Sequence, residues 1–288
     1  MDRQSGGIDA ATRGRLCVLA AAVMWSLSGV LTKGLAMDGA PIAFYRGLFG
    51  GLALLPFVPA RDRAFRPRML LMALVFAVMT GLYLAAMKAT TAANAIFLQS
   101  SAIFWVIPIG YLALRERPDR LSMAGVAVAL VGIALIVARG RDGRPGEGVG
   151  IALGLASGVA FAAVLVAIRC FRDLDPAWLS AFNNLGGAAF LGLWIVATTG
   201  SLPIPSGGQW PTLVLFGVVQ MAIPYILFAR GLRHVSAAEA GLIGLVEPIL
   251  NPLWVYLQHG ERPADSTMIG GVFLILGVAV GSLPRRRR

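Results

Sequence analysis

The chain has 288 residues; 57% are apolar by a count that leaves out its 35 glycines, only 14% are charged, and the formal net charge is +11. A soluble chain is about 45–50% apolar and about 25% charged, so an ordinary soluble domain is excluded. The positive balance raises nucleic acid as a partner, and the placement of the charges along the chain decides against it.

Ten apolar runs follow in chain order, at about 16–35, 41–59, 69–88, 92–114, 121–138, 147–168, 176–198, 210–229, 236–258 and 266–283. Runs near 20 residues match helices that cross a hydrocarbon core roughly 30 Å thick. Residues 1–15 read as a cytoplasmic tail. Arg13 and Arg15 before the first run resemble a signal peptide, but the run is too long and no small-residue cleavage site follows, so it reads as a retained span. A linker loop at 139–146 separates a first five-helix repeat (16–138) from a second (147–283), and 284–288 form a basic cytoplasmic tail. Cys17 and Cys170 sit near span ends with no Cys/His cluster around them, so packing is their expected role and neither a metal nor a cofactor is expected.

The division into two rests on a repeated phrase. AANAIFLQSSAIFWVIPIGYLALRERP at 92–118 returns 145 residues later as AAEAGLIGLVEPILNPLWVYLQHGERP at 237–263, without a gap. The register extends outward, with Tyr83 opposite Phe228, Gly125 opposite Gly270 and Gly132 opposite Gly277. Such repeats govern the whole fold assignment. Five spans per copy is an odd number, so the second copy must start on the other side of the membrane from the first. The expected fold is therefore all-α and integral to the membrane, with ten transmembrane helices in two inverted five-helix repeats. That architecture is common among secondary transporters, which bind substrate near the midplane between the copies.

Placing Lys and Arg on alternate sides, with the N-terminus inside, puts 18 in the inner loops and tails. Only Lys33, Lys88, Arg139, Arg141, Arg144 and Arg262 fall outside, and Arg46 lies within a span. Short cytoplasmic loops carry this excess because of how helices insert. The charge is topological, and the expected location is a bacterial-type inner membrane with both termini cytoplasmic.

Polar side chains inside spans are costly, about 2.5–3.5 kcal/mol for a charge at a helix centre on insertion scales, and are candidates for function. In chain order, Trp25, Tyr83, Trp105, Phe161 and Tyr225 lie within spans rather than in interfacial belts, and suit an apolar or cationic ligand group or plain packing. Arg46 either attracts a carboxylate or pairs with an acid of another helix; Asn183 and Asn184 hold the place of Tyr45 and Arg46 in span seven. Lys88 and Glu239 stand near span ends, where long side chains snorkel. Gln99 and Ser100 in span four, Gln220 in span eight, and Glu247 with Asn251 in span nine are the remaining cavity candidates. Glu247 either meets substrate or a coupling proton, or locks spans together. Pro108, Pro224, Pro248 and Pro252 mark bends; Pro248 clashes with the carbonyl of Gly244 and is expected to open the helix there. Trp178, Trp194, Trp210 and Trp254 sit near span ends and read as interfacial.

The Trp25 motif VMWSLSGVLTKG, the Phe44-Tyr45-Arg46 start of span two, the Ala-rich starts of spans four and nine, the Glu247-Pro248 pair and both Glu-Arg-Pro endings resemble the drug/metabolite transporter superfamily, in its ten-span EamA-type branch. The resemblance implies an exporter of amino acids, other metabolites or drugs, with both termini cytoplasmic; wider relatives carry nucleotide-linked or phosphorylated metabolites. The function expected is secondary export of small metabolites, foremost amino acids and related amphiphilic compounds, by alternating access around a midplane cavity. A passive facilitator or channel, or a different substrate class, is the alternative. No nucleotide-binding loop is present, and no His-Glu-x-x-His or paired aspartate within a span supports an intramembrane enzyme. The partners expected are the substrate, the bilayer and, through Glu247, protons, in a monomer or homodimer without nucleic acid.

Overall fold

A computed structural model describes residues 9–115, 120–139 and 146–281. The first Glu-Arg-Pro motif at 116–118, most of the linker and the basic tail lie outside the described residues, as do Arg3, Arg141 and Arg144.

Span one is α1 (Ala10–Trp25) followed by α2 (Ser28–Gly34), and span two is α3 (Gly39–Leu54). Span three is α4 (Arg68–Ala89), and span four is α5 (Ala92–Gln99) with α6 (Ala102–Leu114). Spans five, six and seven are α7 (Arg120–Arg139), α8 (Glu147–Cys170) and α9 (Pro176–Thr199). Span eight joins α10 (Trp210–Leu215) to α11 (Ile223–Gly231) through a π-helix at Phe216–Ala222. Span nine is α12 (Ala237–Gly244) and α13 (Val246–His259), and α14 (Asp265–Gly281) is the tenth. No strand occurs among the described residues. Nine of these spans are long and apolar enough to cross a membrane, and α14 is a shorter apolar helix of 17 residues, roughly 26 Å at 1.5 Å per residue. The described residues thus form an all-helical membrane protein in which these helices group into ten spans. Helix α1 starts at Ala10 rather than 16, because the Asp9 side chain accepts from Thr12 N and caps it.

Caps repeat with the sequence. Thr91 accepts from Asn94 N at the start of α5, and Ser236, its equivalent, accepts from Glu239 N at the start of α12. Packing repeats as well. Span one packs on span eight as span three does on six, span one on nine as four does on six, and two on eight as three does on seven. Exchanging the units leaves this pattern unchanged. The exchange is sharpest between α7 and α14. A Cβ on Gly132 would stand 2.3 Å from the Gly270 carbonyl oxygen, and one on Gly125 2.4 Å from that of Gly277. These pairs map onto each other under the 145-residue shift, and their crossed order makes the two helices antiparallel. Small residues let backbones approach this closely in lipid.

The helix ends sort into two faces. On one, Arg15 pairs with Glu239 at 2.6 Å, Arg66 donates to Asp173 through both terminal guanidinium nitrogens, and Trp178 Nε1 donates to the Ala64 carbonyl at 2.7 Å. The hydrogen bond from Arg66 holds the Asp173 carboxyl below its ordinary range. On the other face, Lys33 pairs with Glu261 at 2.8 Å and donates to the Thr90 carbonyl at 2.8 Å, Lys88 donates to the Leu35 carbonyl, and Asn94 Nδ2 donates to Glu147 at 3.2 Å. Span one therefore begins on the face of Arg15 and span six on the face of Lys33, and the units cross in opposite senses.

Candidate functional site

Four spans do not run as single helices, and three of these interruptions meet. Span one breaks at Ser26 and Leu27, where Ser26 Oγ donates back to the Val23 carbonyl at 2.6 Å. Such a bond competes with the helical ladder. Span nine breaks at Leu245, as expected near Pro248, which stands in the first turn of α13, where its lack of an N–H is of little consequence. Proline is not the whole cause. Span four breaks at the equivalent Ser100 and Ser101, although Ile103 replaces the proline, and there Ser100 Oγ donates back to the Ile96 carbonyl at 2.9 Å. Span eight widens into its π-helix, which carries Gln220; π-bulges of this kind frequently mark functional sites.

Gln220 joins these elements. Its Nε2 donates to the Trp25 carbonyl, left near the span-one break, at 3.4 Å, and its Oε1 accepts from Arg46 Nη1 at 3.4 Å. Both contacts are long for hydrogen bonds. Arg46 is 4% exposed, and its guanidinium lies 5.2 Å from the centre of the Phe216 ring. Its Nε is buried with no partner, and among the described residues no carboxylate lies within 4.0 Å of it. Glu247 stands in the first turn of α13, where the helix dipole favours a negative charge. It interacts electrostatically with Arg46, Tyr83 and Tyr225 without contacting the guanidinium. Glu247 is half-buried, and a Cβ on Gly244, next to the break, would meet nothing within 4 Å. Glu247 is thus the half-buried member of a group whose other polar side chains, Arg46, Gln220 and Asn251, are buried.

Serine and tryptophan complete the wall. Asn251 Nδ2 donates to Ser28 Oγ at 2.8 Å, Ser28 Oγ lies 3.3 Å from the Tyr83 hydroxyl, and Trp254 Nε1 donates to Ser26 Oγ at 2.9 Å. The Trp25 ring meets Tyr225 edge-on at 5.3 Å and Phe228 at 5.3 Å.

Trp25, Tyr83, Tyr225, Gln220, Glu247 and Asn251 of the expected cavity set come together here, with Arg46. Phe161 packs in the cluster that holds Tyr225. Arg46, weighed as the partner of an acid, has an amide partner instead. Gln99 and Ser100 are half-buried at the span-four break, with Ser100 bonded to its own helix. Asn183 and Asn184 are buried; Asn184 Nδ2 donates to the Ser180 carbonyl, and both side-chain oxygens lack partners. Trp105 is 42% exposed and lies on a stripe of α6 that continues through Pro108 to Leu112, 80% exposed. That stripe faces outward because the opposite side of α6 packs on α8. Pro224 is buried at the start of α11, just after the π-helix, and Pro252 is buried inside α13. Lys88 and Glu239 tie helix ends on opposite faces rather than lining the group.

Sequence reasoning passed over Ser26, Ser28 and Phe216, and placed Trp254 at the interface although its indole is turned onto Ser26. Two serines at alternate positions inside an apolar span were the available signal. Among the described residues no group of three or more His, Cys, Asp or Glu could hold a metal ion.

The family described as the EamA-like transporter family matches the chain twice, over residues 12–138 and 148–283. An uncharacterized transporter of Archaeoglobus fulgidus is 30% identical over 93% of this chain and 95% of its own length. The pseudopaline exporter CntI of Pseudomonas aeruginosa is 26% identical over 98% of this chain and 99% of its own, and the uncharacterized inner membrane transporter YicL of Salmonella typhimurium is 26% identical over 96% and 97%. A solved crystal structure superposes with a TM-score of 0.68, covering 96% of this chain and 99% of the other at 20% identity, a likeness of fold.

Proposed function

The chain belongs to the EamA-like transporter family of the drug/metabolite transporter superfamily, and we propose that it is a secondary exporter of small amphiphilic metabolites, amino acids and related compounds foremost. The observation that carries this reading is the polar and aromatic group built by both units within the membrane. Arg46 and Tyr83 come from the first unit, Gln220, Tyr225, Glu247 and Asn251 from the second. A group shared between units that run in opposite senses is the arrangement of transporters that expose one site alternately to the two sides.

The face carrying Arg13, Arg15, Arg61, Arg63, Arg66, Arg68, Arg169, Arg172, Arg230 and Arg233 is the cytoplasmic one, by the positive-inside rule. Export agrees with the name of one relative. No ATP-binding motif is present in the sequence, so the driving force is the substrate gradient, supplemented by protons if Glu247 carries them.

The test is counterflow in proteoliposomes of the purified protein, loaded in turn with each of a panel of unlabelled amino acids, with and without a pH gradient. Saturable accumulation is expected, and linear uptake would indicate a passive pore. Glu247→Gln is expected to lower transport at least roughly tenfold, the worth of one charge-assisted interaction, with monodisperse protein recovered at the wild-type yield. A matching loss of yield would make Glu247 a structural residue.

A further inference from the structure

The Arg46 guanidinium is a buried cation with no ion-pair partner within 4.0 Å among the described residues. It is 4% exposed, it sits on span two within the hydrocarbon, and its contacts are one amide oxygen at 3.4 Å and the face of Phe216. Its Nε has no acceptor at all. A buried cation is ordinarily paired or fully hydrogen-bonded, since desolvation otherwise costs several kcal/mol. The fold itself does not demand a cation at this place. Span seven carries the uncharged Asn183 and Asn184 in the place that the sequence gives to Tyr45 and Arg46, and Asn184 Nδ2 donates to its own helix at Ser180 while its side-chain oxygen has no partner. The π-helix adds a second device that serves Arg46, because it carries Gln220 onto Nη1 while Nε stays without an acceptor.

Resting on the reading of this group as the transport site, we infer that Arg46 is the specificity-determining residue of the cavity and that its unpartnered Nε edge docks the carboxylate of a zwitterionic substrate. Guanidinium groups bind carboxylates through such an edge. Glu247 restricts the ligand further. It compensates Arg46 at a distance without forming an ion pair with it, so the site holds a positive and a negative pole that do not neutralise each other directly. A ligand bearing both charges reverses that dipole and satisfies each pole. A dianionic phosphate would be repelled by Glu247, and a simple amine would leave Arg46 uncompensated. The ammonium end falls toward Glu247 and the edge-paired rings of Trp25 and Tyr225, which also favour a cation. Gln220 is the positioning residue: it holds Nη1 and ties the guanidinium to the span-one break.

The experiment compares purified wild type and Arg46→Gln by thermal unfolding in detergent. Each is titrated with amino acids and with their decarboxylated amines in matched pairs: phenylalanine and phenethylamine, tryptophan and tryptamine, leucine and isoamylamine. Wild type is expected to be stabilised by the amino acid of at least one pair at concentrations roughly tenfold or more below its amine, the worth of one charge-assisted hydrogen bond. Arg46→Gln is expected to lose that preference, binding both members alike, while its ligand-free melting temperature is unchanged or raised because an unsatisfied buried charge has been removed. Arg46→Lys should restore part of the preference. Retention of the preference in Arg46→Gln would overturn the inference. So would a lowered ligand-free melting temperature with equal loss of acid and amine, which is the behaviour of a structural residue. Absence of binding by wild type to every pair, with no counterflow of the same amino acids, would remove the parent reading; counterflow without any carboxylate preference would remove only this one.

Discussion

Helices α5 and α12 are the same element written twice, and they live in different surroundings. Both open on an Ala-Ala pair, both are capped by a hydroxyl, Thr91 or Ser236, and both end at a break in mid-span. Yet Ala92–Leu98 of α5 are all buried, whereas of Glu239–Gly244 in α12 only Ala240 is buried. The difference follows from what surrounds their outer ends. Glu261 accepts from Ala92 N at 2.8 Å, Lys33 pairs with Glu261, Asn94 receives Thr267 Oγ1 at 2.8 Å, and Asn94 donates to Thr90 Oγ1 at 2.9 Å and to Glu147. Spans one, three, four, six, nine and ten are thereby drawn together around α5. At α12 the corresponding link described is Arg15–Glu239, whose side chains are 55% and 36% exposed. Two copies of one motif thus sit in a tight and a loose environment. In the proposed cycle these are the closed and the open end of one conformation, and transport exchanges them.

The largest expected effect comes from loosening the tight end. Glu261→Gln leaves Lys33 without its counter-charge in a half-buried setting, and breaking a buried pair on one side costs about 3–5 kcal/mol. In a background with Cys17 and Cys170 replaced by serine, a cysteine at Ala95 should react with a membrane-impermeant thiol reagent at least roughly tenfold faster once Glu261→Gln is added, given that energy. A cysteine at Leu242 in α12 should react readily in both proteins. Equal rates at the two positions in the starting protein would erase the contrast between the ends.

A smaller effect is expected where the units meet symmetrically. Gly132→Ala places a methyl group 2.3 Å from the Gly270 carbonyl oxygen, and the backbone there cannot give way locally. Overpacking of this kind costs about 1–3 kcal/mol, to be seen as a lowered melting temperature of the purified protein. Gly125→Ala should match it, since the two contacts are equivalent; a harmless Gly125→Ala beside a damaging Gly132→Ala would show that the exchange symmetry does not extend to energetics. The smallest effect belongs to the loose end. Arg15→Gln removes a solvent-exposed pair, which screening makes weak, so stability should scarcely change, and the ordering Glu261→Gln above Arg15→Gln is itself the measure of the asymmetry.

Much of this molecule is legible along the chain. Bilayer thickness imposes a span length, and the cost of placing charge in hydrocarbon sorts arginine into loops, so ten spans, five per copy, and two faces can be counted without coordinates. The repeat locates the glycine pairs of α7 and α14, because only small residues tolerate backbone contact. The wall of the site was partly legible for a similar reason: Glu247, Gln220 and Asn251 are conspicuous wherever a span should be apolar. Ser26 and Ser28 were not, since serine is common in membrane helices and its meaning depends on the partner it meets.

By itself the sequence determined the class, the duplication, the opposed senses of its halves and a short set of polar candidates, all consequences of one solvent constraint applied residue by residue. Only the tertiary structure decided that Arg46 meets an amide instead of an acid, that Trp105 stands on an outward stripe, that span eight loosens into a π-helix at Gln220, and that α5 is buried while most of α12 is not. These depend on which helices become neighbours and how closely they approach. Packing between distant segments sets that, and a periodic pattern along one segment does not contain it.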